Sequence, residues 1–222
     1  MPVAVKICGL NSPEAVKAAV DNGASYTGFI FYSPSPRDIS LEKAEELATL
    51  VPPSVKKVAV TVDATDAELA DIIAALNPDF LQLHGDESIE RITDIKKKFV
   101  LPVIKAIKVS KAEDIDSSAN FAAANMLLFD TKAPLLKLPV SSGKLGWRLQ
   151  GGTGLSFDWN LLKGRNFNLS WMLSGGLHKG NIEEAIKITD AKIVDISSGL
   201  ETSPGKKSPE LIEKFMRKIR EL

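Results

Sequence analysis

The amino-acid sequence predicts an α/β fold, a single-domain (β/α)8 TIM barrel of eight parallel strands alternating with helices. Three observations predict it. Eight short apolar runs recur along the chain, and most are followed by a segment with helix caps or helical spacing. Two of these runs, Leu169–Leu173 and Ile193–Ile196, stop abruptly in small residues, Ser174-Gly-Gly-Leu177 and Ser197-Ser-Gly-Leu200. That is the layout of a phosphate cup after the seventh and eighth strands of such a barrel. The 222 residues suit one barrel, which typically takes about 250, so residues 1–222 read as one catalytic domain.

In chain order, Val3 to Ile7 is a β-rich run ending in Cys8-Gly9, and Ser12-Pro13-Glu14 then supplies an N-cap, a proline at N1 and an acid in the first turn. Asn22-Gly23 stops that helix. Tyr26 to Tyr32 is the second run, and Ser33-Pro-Ser-Pro-Arg37 is a proline-rich loop before a helix from Ser40 to Leu50. Lys57 to Val62 is the third strand, and Thr65-Asp-Ala-Glu68 is a capping box before Leu69, Ile72, Ile73 and Leu76. Phe80–Leu83 is the fourth strand, with Ile89, Ile92 and Ile95 marking the apolar face of its helix. Pro102 to Ile107 and Met126 to Phe129 are the fifth and sixth, with a weaker helical stretch from about Ser110 between them. The interval from about 131 to 153, with Pro134, Pro139 and Ser141-Ser-Gly143, breaks the rhythm and reads as a long loop of the lid or binding kind. Phe157 to Leu162 restarts a helix, Asn181-Ile-Glu-Glu184 caps the helix after the seventh strand, and Ser208-Pro-Glu opens a last helix burying Leu211, Ile212, Phe215, Met216 and Ile219. Near-continuous apolar strands agree with burial on both faces. An open doubly wound sheet is the alternative, but no G-x-G-x-x-G comes after the first strand.

Composition narrows the function. Lys+Arg and Asp+Glu both number 28, so no net field is available to bind nucleic acid or a membrane surface, and an anionic ligand must be caught locally. One cysteine excludes an internal disulfide, and two histidines leave no Cys/His zinc cluster. No apolar run reaches a membrane span and no leader precedes the first strand. A cytoplasmic protein without a membrane or nucleic-acid partner, monomer or homodimer, is expected.

In a barrel the active site lies at the strands' C-terminal ends, and the polar and small residues at or just past the apolar runs are the candidates: Cys8, Arg37, Asp63, His84, Lys105, Asp130, Ser174 to Gly176 and Ser197 to Gly199. Gly175, Gly176 and Gly199 allow backbone N–H groups to face an anion, and a helix N-terminus beyond them adds partial positive charge, so a phosphate is held without a lysine. Cys8, followed by glycine at a strand's rim, reads as functional, against the plain reading of an inert core cysteine. Arg37 is stiffly approached by two prolines and suits a planar carboxylate, though a surface arginine is the plain alternative. Asp130 ends an apolar run, where an unpaired carboxyl would hold its proton as a general acid must. His84 reads as a base, a phosphate donor or a structural histidine, with the last favoured. Lys105 is a Schiff-base candidate or a residue inside a strand. The sequon Asn168-Leu-Ser170 falls on a strand and is set aside.

These residues carry a resemblance. Lys6-Ile-Cys-Gly9, Gly28-Phe-Ile-Phe31 with Ser35-Pro-Arg37, Gln82-Leu-His-Gly85, Asp130-Thr131, Gly151-Gly-Thr-Gly154 with Phe157-Asp-Trp159, Ser174-Gly-Gly-Leu177 and Val194-Asp-Ile-Ser-Ser-Gly199 are similar, in one order and over nearly the full chain, to the motifs of phosphoribosylanthranilate isomerases. The resemblance implies an enzyme of tryptophan biosynthesis performing an Amadori rearrangement on a sugar-phosphate substrate, with no metal or organic cofactor. It implies Cys8 as general base, Asp130 as general acid and Arg37 as carboxylate binder. It also implies substrate contacts from His84, Gly152, Gly154, Ser174, Gly175, Gly176, Ser197, Ser198 and Gly199. The chain departs from the pattern where the family often has Gly-Gly-Ser-Gly-Lys, since Thr153 and Leu155 stand here; Lys144 and Arg148 are candidate substitutes or solvated loop charges. Lys6, two residues from Cys8 on one strand face, is expected to lower the Cys8 pKa, the alternative being a structural charge paired to an acid such as Asp195. Two rivals stand beside the isomerase: a Schiff-base aldolase through Lys105, and a sugar-phosphate-binding protein that keeps the cup without catalysis.

Overall fold

A computed structural model describes residues 3–132 and 155–222. The expected long loop, and with it Gly152, Gly154, Lys144 and Arg148, lies outside the described residues from 133 onward. Eight strands form a closed barrel of parallel neighbours: β1 (Ala4–Cys8), β2 (Tyr26–Phe31), β3 (Lys56–Thr61), β4 (Phe80–Leu83), β5 (Val103–Val109), β6 (Met126–Thr131), β7 (Ser170–Leu173) and β8 (Ile193–Ile196), with β8 pairing back onto β1. Strand pairing carries β1 and β6 past their apolar runs. Cys8 stands opposite Gly28 and Asp130 opposite Lys108, so both residues are inside the ladder rather than just after it.

The caps work as the residues dictate. Ser12 Oγ accepts from Ala15 N–H at the start of α1 (Pro13–Asp21), Ser40 Oγ from Lys43 N–H at α2 (Leu41–Ala48), and Thr65 and Glu68 close a capping box on α3 (Asp66–Leu76). Ser88 caps α4 (Ile89–Phe99). Ile92 and Ile95 are buried there, but Ile89 is 40% exposed, which corrects its expected place on the apolar face. A spacing of three residues drifts about 60° per step on an α-helix, and two steps carry Ile89 off the buried stripe. The weak stretch after β5 becomes α5 (Ala112–Asp116) followed by a 3-10 segment, Ser117–Phe121.

Three further expectations are corrected. The helix from Phe157 is a single 3-10 turn, Trp159–Leu162, with Trp159 and Leu162 buried. Asn181 precedes α6 (Ile182–Thr189) but makes no side-chain cap; its Nδ2 donates to Gly176 O at 2.9 Å and its Oδ1 accepts from His178 N–H at 2.8 Å, tying the helix start to the glycine turn. After β8 there is no immediate helix but a short 3-10 turn and an antiparallel hairpin, β9 (Glu201–Ser203) and β10 (Lys206–Lys207). Ser208 then caps α7 (Pro209–Arg220), which buries Ile212, Phe215, Met216 and Ile219 while Leu211 is half-buried.

The core divides by strand face. Val58, Val60, Ile104, Ala106, Met126, Leu128 and Met172 fill the barrel interior with Cys8, and the opposite strand faces pack against the helices. Among the described residues no helix is long and apolar enough to cross a membrane.

Candidate active site

Side chains alternate along a strand, so the interior cluster fixes which candidates point into the barrel mouth. Leu128 is interior, hence Asp130; Met172 is interior, hence Ser174; Cys8 is itself interior, hence Lys6. One cleft at the C-terminal ends of the strands brings together Cys8, Arg37, His84, Asp130, Ser174, Gly175, Gly176, Ser197 and Ser198. Gly199 does not line it.

Lys6 is fully buried, and its Nζ lies 2.8 Å from Asp195 Oδ1, the residue opposite it on β8. Ser174 Oγ donates to Asp195 Oδ2 at 3.1 Å. Lys6 lowers the Cys8 pKa as expected, but it is not the largest influence on the thiol. Burial pushes the Cys8 thiol up, Lys6 pulls it down, Asp195 pushes it up again, and the net shift is upward. Lys6 thus acts in the expected direction but is outweighed, and its pairing with Asp195 is the structural alternative. Burial works against the Lys6 ammonium as well, yet Asp195 and Cys8 raise its pKa, so the lysine stays charged.

Across the mouth, Asp130 is not unpaired. Its Oδ1 accepts from Thr131 N–H at 2.8 Å, and its Oδ2 lies 3.2 Å from His84 Nε2. His84 Nε2 is within ion-pairing distance but lacks the alignment of a hydrogen bond, and it is buried without one. Gln82 Nε2 lies 2.9 Å from His84 Nδ1. His84 therefore stands between Gln82 and Asp130, one ring nitrogen toward each. His84 lines the cleft beside Asp130.

The small-residue turns do different work. Gly175 and Gly176 adopt φ of +92° and +62°, the region that favours glycine. Gly199 has an ordinary φ, but a Cβ there would overlap the Leu177 carbonyl oxygen, so its role is to let the two turns touch. The expected helix N-terminus is not directly at either turn, since α6 begins six residues after Gly176 and only a 3-10 turn comes after Ser197. The cup does have a lysine behind it. Lys207 Nζ donates to Ser197 O at 3.1 Å and to Ser197 Oγ at 3.2 Å.

Arg37 is buried and already engaged: Nε donates to Glu201 Oε1 at 2.7 Å and Nη2 to Glu201 Oε2 at 2.8 Å. The side-on edge of the guanidinium is therefore taken, and its end is what Arg37 presents to the cleft. Glu201 and Lys207 are absent from the sequence-based candidates. The signal that would have found them is Pro204-Gly205, a turn dipeptide directly after the eighth strand's small residues.

Lys105 faces outward, between interior Ile104 and Ala106. Its Nζ donates to Gly85 O at 2.8 Å and pairs with Glu87 Oε2 at 2.6 Å. A lysine so clamped, on the wrong strand face, cannot reach a substrate in the cleft as a Schiff base. Asp63 does not line the cleft; its Oδ1 accepts from Asp86 N–H at 2.8 Å and its backbone N–H donates to Glu87 Oε1 at 3.0 Å.

Comparison with known proteins places this geometry. The family model described as N-(5′-phosphoribosyl)anthranilate (PRA) isomerase matches residues 5–218. An N-(5′-phosphoribosyl)anthranilate isomerase of Parvibaculum lavamentivorans is 50% identical over 218 residues, 98% of each chain. The crystal structure of phosphoribosyl anthranilate isomerase from Thermotoga maritima superposes with a TM-score of 0.84 at 33% identity, covering 99% of this chain and 100% of that one. A further such structure holds reduced 1-(o-carboxyphenylamino)-1-deoxyribulose 5-phosphate, with a TM-score of 0.81 at 32% identity and the same coverage.

Proposed function

The chain belongs to the N-(5′-phosphoribosyl)anthranilate isomerase family and is an isomerase of tryptophan biosynthesis, and on that premise we propose how its cleft converts N-(5-phosphoribosyl)anthranilate into 1-(2-carboxyphenylamino)-1-deoxyribulose 5-phosphate. The observation that carries the proposal is that Cys8 and Asp130 line one cleft with the small-residue turns after β7 and β8. Ser174 to Gly176, Ser197 and Ser198 hold the 5-phosphate, and Arg37 meets the anthranilate carboxylate.

Asp130 donates a proton to the furanose ring oxygen. The ring C–O bond breaks, and the nitrogen lone pair closes an iminium to C1. Cys8 then removes the C2 proton, the electrons of that bond flow toward the iminium nitrogen, and the resulting enolamine tautomerises to the ketone. Burial holds the Cys8 proton, so the thiolate that must act as base is most readily formed when a cation stands beside it. The iminium formed in the first step is such a cation, and it makes ring opening the event that prepares the base. His84, against the second Asp130 oxygen, orients the acid.

The test is direct. Purified protein mixed with fluorescent phosphoribosylanthranilate should abolish the emission at a rate proportional to protein concentration. Borohydride added during turnover should leave the protein mass unchanged. Stable fluorescence would sink the isomerase reading, and a covalent adduct would restore the Schiff-base rival.

A further inference from the structure

We propose that Glu201 and Lys207 are positioning residues for Arg37: Glu201 fixes which edge of the guanidinium faces the cleft, and Lys207 cancels the Glu201 charge so that Arg37 keeps its own for the carboxylate of the substrate. The inference rests on the reading of Arg37 as the carboxylate binder.

The geometry is that of a buried triad. The Arg37, Glu201 and Lys207 side chains are 8%, 4% and 1% exposed. Glu201 accepts two hydrogen bonds from Arg37 and pairs through Oε1 with Lys207 Nζ. Its Oε2 also accepts from Gly205 N–H at 3.1 Å. The hairpin that carries these residues is seated on the loops around it. Asn11 Nδ2 donates to Gly205 O at 2.8 Å, and Gly205 lies so close to the Pro36 carbonyl that a Cβ would overlap it. The glutamate is thereby held against the loop that presents Arg37, while Lys207 reaches Ser197 in the cup.

Charge explains why three groups are needed. An isolated buried Arg–Glu pair is electrically closed, and each partner's field on a third ion is largely cancelled by the other's. With two cations to one anion, the triad keeps one net positive charge at the end of Arg37 that remains open. Burial works against the Glu201 charge, but Arg37 and Lys207 outweigh it and hold its pKa below the usual carboxylate range. Burial pulls the Lys207 pKa down, Glu201 pushes it up and Arg37 pulls it down again, leaving it below the ordinary lysine value. The preference such a device creates is for a ligand bearing a carboxylate on its aryl group.

The experiment measures that preference by titration calorimetry with two probes, reduced 1-(o-carboxyphenylamino)-1-deoxyribulose 5-phosphate and its phenylamino counterpart lacking the carboxylate. The parent protein, Arg37→Ala, Lys207→Met and the double variant Lys207→Met/Glu201→Gln are compared by the ratio of the two affinities, which a folding defect does not move. The parent should favour the carboxylated probe and Arg37→Ala should lose that preference. Lys207→Met should cut it about tenfold, the scale of losing one charge beside a charged hydrogen bond. The double variant, which restores the net charge, should regain most of it. A preference surviving in Arg37→Ala would overturn the Arg37 reading and this proposal with it. A preference lost in Arg37→Ala but intact in Lys207→Met, or not regained in the double variant, would overturn the triad alone.

Discussion

Lys6 and Lys105 are both lysines within parallel strands, both buried, and both paired with a carboxylate, at 2.8 and 2.6 Å. They differ in strand face. Lys6 shares the inner face of β1 with Cys8 and bears on the thiol; Lys105 lies between interior Ile104 and Ala106 and points the other way, clamping the carbonyl of Gly85 beside His84. Burial and ion pairing are thus equal in the two, and neither distinguishes a residue of the site from one of the scaffold. The period of two along the strand does.

The largest effect expected of that division falls on the inner face. Removing a positioned general acid or base costs about 10²- to 10⁴-fold in rate, so Cys8→Ser and Asp130→Asn should each lower kcat by that order with little change in KM. Cys8→Ser keeps the side-chain size and supplies a far weaker base. Steady-state kinetics in which both variants stay within a few-fold of the parent would make the two residues structural and remove chemistry from the inner face.

Next come the lysines themselves. Lys105→Met leaves Glu87 buried without its partner and should cost about 3–5 kcal/mol of stability in urea unfolding, with kcat of the folded protein changed far less than by Cys8→Ser. Lys6→Met should act on the thiol. The lysine charge favours the thiolate and Asp195 disfavours it, so losing Lys6 moves the Cys8 pKa, already above its ordinary value, further up. Alkylation by iodoacetamide should then need a higher pH in Lys6→Met than in the parent, whereas Lys105→Met should share the parent profile. Equal profiles for the two lysine variants would erase the contrast.

The smallest effect concerns the cup. Inorganic phosphate binding only the folded protein adds about 2.7 kcal/mol when present at 100 times its dissociation constant, seen as a raised Tm. Gly176→Asp is a poor probe, since a Cβ there would meet the backbone of Leu155. Ser198→Asp puts a carboxylate into the cleft lining from an ordinary backbone position, and it should abolish the protection. Protection that persists would move the phosphate away from the turns after β7 and β8.

Much of the fold and most of the site were legible because they are local. Thr65 and Glu68 make a capping box whatever surrounds them, and Ser12-Pro13 opens a helix in the same way. Eight apolar runs separated by such signals leave few architectures, and in a barrel the residue after each run lies at the mouth; nine of the candidates accordingly share one cleft. Where local rules competed with packing they failed, as with Ile89, with the 3-10 turn at Trp159–Leu162, and with Asn181, whose side chain bonds to the glycine turn rather than capping α6.

What the sequence by itself determined, then, is the alternation of elements and the small set of polar residues at strand ends, since caps and periodicity act over a few residues. Tertiary structure decided the partners. Closure of β8 onto β1 sets Asp195 opposite Lys6, 189 residues away, and buries Cys8 beside the pair, so that burial first and Asp195 second outweigh the lowering by Lys6. Docking of the hairpin gives Arg37 to Glu201 across 164 residues, and the barrel mouth brings His84 to Asp130. The physical reason is that a side chain's charge acts on whatever stands within a few ångströms of it, and only strand register and loop packing decide what that is.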